Sequence, residues 1–395
     1  MEKTKLSSLF LLWLGAAISI AEIVTGTLLG PLGLKQGMLA IIIGHLIGCG
    51  LFLLPAAYIS ANQSQTAIQT TGMVFGTPGK ILFSGLNALQ LLGWTAVMLV
   101  NAQIAMNGIT SKLFGYESKW VMTLIVAVLI IVWLILDHDW LFRINNGVVL
   151  LLALGTMLML WAVTHVGILR AGGPSGSMTF GAAVELNVTM ALSWLPLIGD
   201  YTKQTKRPVA ISVVSVLGYF IGSVTMFSIG LLTVVLTHES DFATVLTHSK
   251  LGLVALFIIV FSTVTTTFMD AYSAATNITN ITGQRNVNWI AVIITGLGTL
   301  IALGISMSYY ENFLYAIGAV FAPLFAILFV SYFIMHGRLP MIVNFLWWII
   351  GVFAYSWIQH YNFVCGPTLI LLVGLSLCVW LSSLVLPKTP FNTAK

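Results

Sequence analysis

The chain has 395 residues, of which 58% are hydrophobic and only 7% charged, with a net charge of +5. A soluble domain carries about 25% charged residues, so composition excludes a soluble fold. The apolar runs are long and unbroken rather than alternating, which argues against a β-barrel and leaves membrane-spanning helices, with the positive charge read as topology rather than nucleic-acid binding.

Hydropathy and turn residues predict twelve spans at about 9–33, 36–61, 79–110, 119–136, 144–167, 182–202, 209–237, 250–281, 287–307, 311–335, 341–359 and 364–386. The basic start MEKTK runs straight into the first of them, without a small-residue cleavage site, so no removable signal peptide is expected. Breaks are marked by Gly76-Thr-Pro-Gly79, Arg170-Ala-Gly-Gly-Pro174, Lys203-Gln-Thr-Lys-Arg-Pro208 and Arg338-Leu-Pro340. With a cytoplasmic N-terminus, this map puts eleven of the sixteen basic residues inside: Lys3, Lys5, Lys80, Arg143, Lys203, Lys206, Arg207, Arg285, Arg338, Lys388 and Lys395. Lys35, Lys112, Lys119, Arg170 and Lys250 fall outside. The bias fits an even number of spans and cytoplasmic termini.

Span 1 contains Glu22, followed by Gly26-Thr-Leu-Leu-Gly30-Pro31-Leu-Gly33, and span 6 contains Ser193-Trp-Leu-Pro196-Leu-Ile-Gly199-Asp200. These are the first members of two successive groups of five spans. Interrupted helices at matching positions point to an inverted-repeat transporter with a midplane site, although Gly and Pro are also common in membrane helices generally. Span 8 contains the second intramembrane acid, Asp270. A carboxyl at bilayer depth costs roughly 2.5–3.5 kcal/mol on insertion scales, so such a residue faces a partner, a ligand or water. Glu22 and Asp270 are therefore read as the floor of a solute site. His45 in span 2 reads as a hydrogen-bonded packing residue, with a proton relay as the alternative. Cys49, Cys365 and Cys378 have neither CxxC nor metal-type spacing and read as packing residues.

Span 6, NVTMALSWLPLIGDYTKQTKRP, resembles the nucleobase–cation symporter family of cytosine, purine, hydantoin and allantoin permeases. Its Trp194 and Pro196, then Asp200, Tyr201, Thr202 and Lys203, fit the family's signature. The Thr-rich span 8 ending in DAYSAATNITN and the Gln90-Leu-Leu-Gly-Trp94 stretch of span 3 look like the family too. Within it, the chain looks nearest to the bacterial hydroxymethylpyrimidine permeases, which import a thiamine precursor. The resemblance implies an all-α membrane protein of the LeuT type: a first repeat over 1–170, an inverted second repeat over 171–338, and two peripheral helices with the C-terminal tail over 339–395. It also implies a bacterial-type inner (plasma) membrane.

For the site, the resemblance implies a ring held between Trp194 and Trp94; a belt or packing role is the alternative for either. Gln90, one turn before Trp94 on the same face, offers a donor and an acceptor to the ring's edge, or a bond to a neighbouring helix. Asp270 stands where the family carries a substrate-contacting Asn; an ionised carboxylate only accepts, which favours a ligand with N–H groups such as an aminopyrimidine. Glu22 does the same from the other wall, or one acid carries a coupling proton. The family's cation site joins span 1 carbonyls to span 8 hydroxyls, here Ala17 and Ile20 with Thr265 and Thr266, whose hydroxyls otherwise bond to their own backbone. Asp200, ahead of Lys203, Lys206 and Arg207, is expected to form an inner-face ion pair or gate anchor rather than to contact substrate.

The expectation is thus a secondary active importer of a small pyrimidine, coupled to Na+ or H+, with no cofactor, no catalytic residues and no metal beyond a possible sodium ion. Its partners are the substrate and the lipid bilayer. The reading is compatible with a monomer and does not fix the oligomeric state. Other nucleobases, or an amine or amino acid on the same fold, are the rival substrates. A membrane enzyme lacks support, since no HExxH or Ser/His/Asp spacing occurs; a channel would show flux without a saturable site.

Overall fold

A computed structural model describes residues 5–136, 138–169, 176–203, 205–249, 251–283 and 286–391. Among these, ten helices are long and apolar enough to cross a membrane. The bent pair Leu6–Ala17 and Ile20–Leu28 adds another, and the shorter apolar helix Lys119–Ile135 completes twelve. Span 2 follows as Gly33–Ile47 and Leu54–Gln63 joined by a π turn over Gly48–Leu53, and span 3 as Gly72–Phe114. Span 5 is His138–Val166, and span 6 is Phe180–Ser193 with Leu195–Thr202. Then come Pro208–Thr237, Gly252–Thr282, Val287–Gly304, Tyr310–Phe329 with a π turn over Val330–Met335, Met341–Ile358 and Pro367–Val385. The expected break at Arg170–Pro174, and the basic residues Lys3, Lys250, Arg285 and Lys395, lie outside the described residues.

Two short helices interrupt the loops after spans 2 and 7, Ala67–Thr70 and Phe242–Thr247. The first starts with a capping box between Thr66 and Gln69. Gly76 turns the chain into span 3 at φ 65° and ψ −166°, backbone that only glycine adopts easily. Gly337–Arg338 pairs antiparallel with Thr389–Pro390. The loop before span 11 and the tail after span 12 therefore meet on one side of the membrane, as an even number of intervening spans requires.

The helices sort into two packed groups. Spans 1, 2, 6 and 7 pack on one another, and spans 3, 4, 8 and 9 do the same. Span 7 approaches span 1 through glycines: a Cβ on Gly230 would overlap the Ile23 carbonyl, and one on Gly218 or Gly222 would crowd the backbone of Phe10 or Leu14. Gly218 and Gly222 form a G-x-x-x-G pair, the small-residue contact by which membrane helices gain van der Waals packing that lipid cannot supply. Spans 11 and 12 pack on span 10. They are also pinned to span 6 through buried Glu185, which accepts from the Tyr355 hydroxyl at 2.6 Å, the Thr368 amide at 3.0 Å and the Thr368 hydroxyl.

The interruption of span 1 is not where its glycines suggested. The helix stops at Ala17 and restarts at Ile20 with a 55° bend, so the break is Ile18–Ser19. Ser19 is extended at φ −143° and ψ 158° and caps the second half by accepting from the Glu22 amide at 3.4 Å. Gly26 lies inside that second half, against the Phe227 carbonyl of span 7, while Gly30–Leu32 forms the turn into span 2.

Candidate functional site

The break in span 6 falls on Trp194 itself. Pro196 has no amide hydrogen, and the Leu197 amide turns back to the Trp194 carbonyl at 3.0 Å, so the Ser193 carbonyl loses its helical partner. Gln90 of span 3 replaces it, donating from Nε2 at 2.7 Å. Trp194 is thereby held at a joint, with Trp13 edge-on to it at 5.7 Å and Tyr219 tilted at 6.0 Å.

A cavity lies between the two helical groups at the level of both breaks. Ser19, Ala21 and Glu22 of span 1 form one wall, and Met190, Ser193, Trp194 and Leu197 of span 6 another. Trp94 and Met98 of span 3 and Asp270 of span 8 close it. It is narrow, about 10 Å³, room for about one water. With the two groups packed this way it has no room for an aromatic ring. Two lining groups have polar atoms that are buried and without a hydrogen bond: Trp94 Nε1, a donor, and Asp270 Oδ2, an acceptor. Gln90 Oε1, one layer behind, is a third. Buried polar atoms are nearly always paired, and these three face or back onto the cavity.

Glu22 is fully engaged. The Tyr219 hydroxyl donates to its Oε1 at 3.0 Å, and Ser223 Oγ lies 2.5 Å from its Oε2. Ser223 in turn meets His45 Nε2 at 2.6 Å, and His45 Nδ1 meets the Ile41 carbonyl at 2.9 Å. His45 is thus a bonded residue in a chain leading to the cavity.

Of the residues read from the sequence, Trp94, Trp194, Glu22 and Asp270 share the cavity wall, and Gln90 braces the Ser193 carbonyl just behind it. For the cation set, Thr265 and Thr266 both donate to the Ser262 carbonyl of their own helix, at 2.8 and 3.1 Å. The Ala17 carbonyl accepts from the Ser19 amide at 3.0 Å, and Ile20 opens the second half of span 1. The direct link from span 8 to the break runs instead from the Ser262 hydroxyl to the Ile18 carbonyl, one residue beyond Ala17 and one turn before Thr266. Asp200 sits partly buried in the last turn of span 6, next to Tyr201, whose ring meets Trp13 at 5.8 Å.

Trp13, Tyr219, Ser223 and Tyr310 carry no signal at the level of sequence. Tyr310 joins span 10 to the second half of span 1 through Thr25 Oγ1, at 2.9 Å, and meets Trp94 edge-on at 6.1 Å. One signal was available for the span 1 break: Ser19-Ile-Ala-Glu22 has the S-x-x-E spacing of a capping box.

A family model for permeases for cytosine/purines, uracil, thiamine and allantoin matches residues 2–389. The cytosine permease of Escherichia coli O157:H7 is 24% identical over 349 residues, covering 82% of this chain and 77% of that protein. Among solved structures, Mhp1, a nucleobase-cation-symport-1 family transporter in a closed conformation with bromovinylhydantoin bound, superposes with a TM-score of 0.75 at 17% identity, covering 96% of this chain and 93% of that one. A Na+-coupled sialic acid symporter in a substrate-bound outward-open state gives 0.66 at 11% identity, covering 96% and 91%. These likenesses show a LeuT-type membrane fold.

Proposed function

The chain belongs to the family of permeases for cytosine/purines, uracil, thiamine and allantoin, and from that premise we propose that it is a secondary active importer of a small pyrimidine, hydroxymethylpyrimidine, driven by a Na+ or H+ gradient. The observation that carries the substrate class is the cavity between Trp94 and Trp194, with the lone acceptor Asp270 Oδ2 and the lone donor Trp94 Nε1 at its edge. A flat aminopyrimidine offers two apolar faces to the indoles, amine hydrogens to the carboxylate and a ring nitrogen to the indole N–H. Base–aromatic stacking is worth about 1–3 kcal/mol per base. The methyl group of the ligand suits the sulfur-rich wall of Met98 and Met190.

Transport then follows from parting the two helical groups on alternate sides of the cavity. The breaks at Ile18–Ser19 and Trp194, and the short helices after spans 2 and 7, support two related units, 1–170 and 171–338, with 339–395 outside them. The excess of basic residues on one side supports cytoplasmic termini in a bacterial-type inner membrane.

The test is uptake of labelled hydroxymethylpyrimidine into proteoliposomes under a Na+ gradient, a pH gradient or neither. Saturable uptake that needs one gradient and is lost in Trp194→Ala supports the reading. Transport of cytosine or an amine, but not of hydroxymethylpyrimidine, leaves the permease and rejects this substrate.

A further inference from the structure

Hydrogen atoms can be counted along the chain from Glu22 to His45. The Ile41 carbonyl only accepts, so His45 Nδ1 carries a hydrogen. In a neutral imidazole Nε2 is then bare. Two short contacts follow, Nε2 to Ser223 Oγ at 2.6 Å and Ser223 Oγ to Glu22 Oε2 at 2.5 Å. Each needs one hydrogen, and the serine hydroxyl supplies one. The second belongs either to the Glu22 carboxyl or to His45 Nε2. Without it, one of the two contacts sets lone pair against lone pair. Glu22 Oε1 is already occupied by the Tyr219 hydroxyl.

We propose that Glu22, Ser223 and His45 form a single-proton site, and that this proton is the ion coupled to transport. The proposal rests on the reading of the chain as a gradient-driven importer. In one arrangement the Glu22 carboxyl donates to Ser223, which donates to His45 Nε2. In the other, Ser223 donates to the Glu22 carboxylate and the His45 imidazolium donates to Ser223. The number of protons and the net charge are the same in both, and the site is emptied when the proton leaves through Glu22.

The geometry suits a site visited from alternate sides rather than a leak. Glu22 alone of the three lines the cavity. Ser223 and His45 are fully buried, and beyond His45 the path ends against Phe227 and Phe220, edge-on at 4.9 and 6.2 Å. The proton therefore enters and leaves by whichever route the cavity is open. All three residues sit in spans 1, 7 and 2, within one helical group, so the site travels intact when the groups part. The other groups facing Glu22 are Tyr219 of span 7, Cys49 of span 2 and Tyr310 of span 10, with Asp270 of span 8 sharing the cavity. Asn187 of span 6 faces His45. A proton on the triad makes it neutral overall in either arrangement, so the cavity does not face two uncompensated negative charges at once.

The test uses the full-length protein in proteoliposomes with an internal pH dye. Exchange of labelled hydroxymethylpyrimidine or cytosine, without any gradient, is measured first. Accumulation is then driven by external acid or by external Na+. External acid should drive accumulation with internal acidification, and Na+ alone should not. In Ser223→Ala and His45→Gln, acid-driven accumulation should fall at least tenfold relative to exchange in the same vesicles. In the infrared, the site's proton should show either as a protonated carboxyl lost in Glu22→Gln or as an imidazolium lost in His45→Gln; this also decides the matter for any variant too impaired to exchange. Accumulation driven by Na+ without acidification, unchanged coupling in both variants, or neither infrared signal responding to its substitution overturns the proposal. If the wild type exchanges neither base, the substrate reading falls, while the infrared signals still decide the triad.

Discussion

Gln90 donates to the Ser193 carbonyl at 2.7 Å, so one side chain of span 3 holds open the joint in span 6. The bond crosses from one helical group to the other, and it fills the place left by the helix's own amide. Gln90→Ala leaves a buried carbonyl unpaired, a loss of about 1–3 kcal/mol. Uptake should fall through a weaker apparent affinity, measured by a concentration series in proteoliposomes. Gln90→Glu should be worse, since a carboxylate offers the carbonyl no hydrogen.

On the proposed pyrimidine substrate, Trp194→Ala should weaken binding by roughly 5- to 150-fold, the equivalent of about 1–3 kcal/mol of lost stacking. Trp194→Phe keeps a flat face and should retain most of the affinity. Tryptophan fluorescence or calorimetric titration of the purified protein measures both.

Asp270 carries a conflict between stability and binding. Its Oδ2 is buried without a partner, so Asp270→Ala should raise the melting temperature of the ligand-free protein. If hydroxymethylpyrimidine is the substrate, as proposed, it stabilises the wild type by mass action, and the same change should abolish that shift. Thermal scans with and without ligand check both halves.

Gly230 meets the Ile23 carbonyl with no room for a methyl group. Gly230→Ala should push span 7 off span 1 and displace Tyr219 and Ser223 from Glu22. Loss of transport together with a lowered melting temperature is the expected outcome. Gly296, which has open space around it, should tolerate alanine with normal uptake and serves as the control.

The twelve spans were legible because a helix in lipid must be apolar along its whole length, and that signal is local. The shift of the span 1 break from Gly26–Gly33 to Ile18–Ser19 shows where the local signal misleads. Glycine in a membrane helix serves close packing as readily as bending, and Gly26 packs on Phe227. Glu22 and Asp270 stood out as costly acids, Trp194 by its place at a break and Trp94 through the family resemblance, and all four line one cavity. Tyr219 and Ser223 did not stand out, because a hydroxyl in a membrane helix is ordinary until its distant partner is known, here 197 and 201 residues away. Thr265 and Thr266 illustrate the same ambiguity from the other side, with both hydroxyls on their own backbone. Gly218-x-x-x-Gly222 shows the same use of glycine, its two positions lying against the backbone of Phe10 and Leu14 in span 1.

Glu185 finds its partners 170 and 183 residues later in the chain. At about 5–20 residues per second of synthesis, its carboxyl waits roughly 10–40 s before Thr368 exists. Span 6 must therefore enter the membrane ahead of the groups that later satisfy its acid. The last two helices thus act as the fastening that completes assembly, and a chain ending before them would carry an open polar lesion at its centre, ready for quality-control proteases to find.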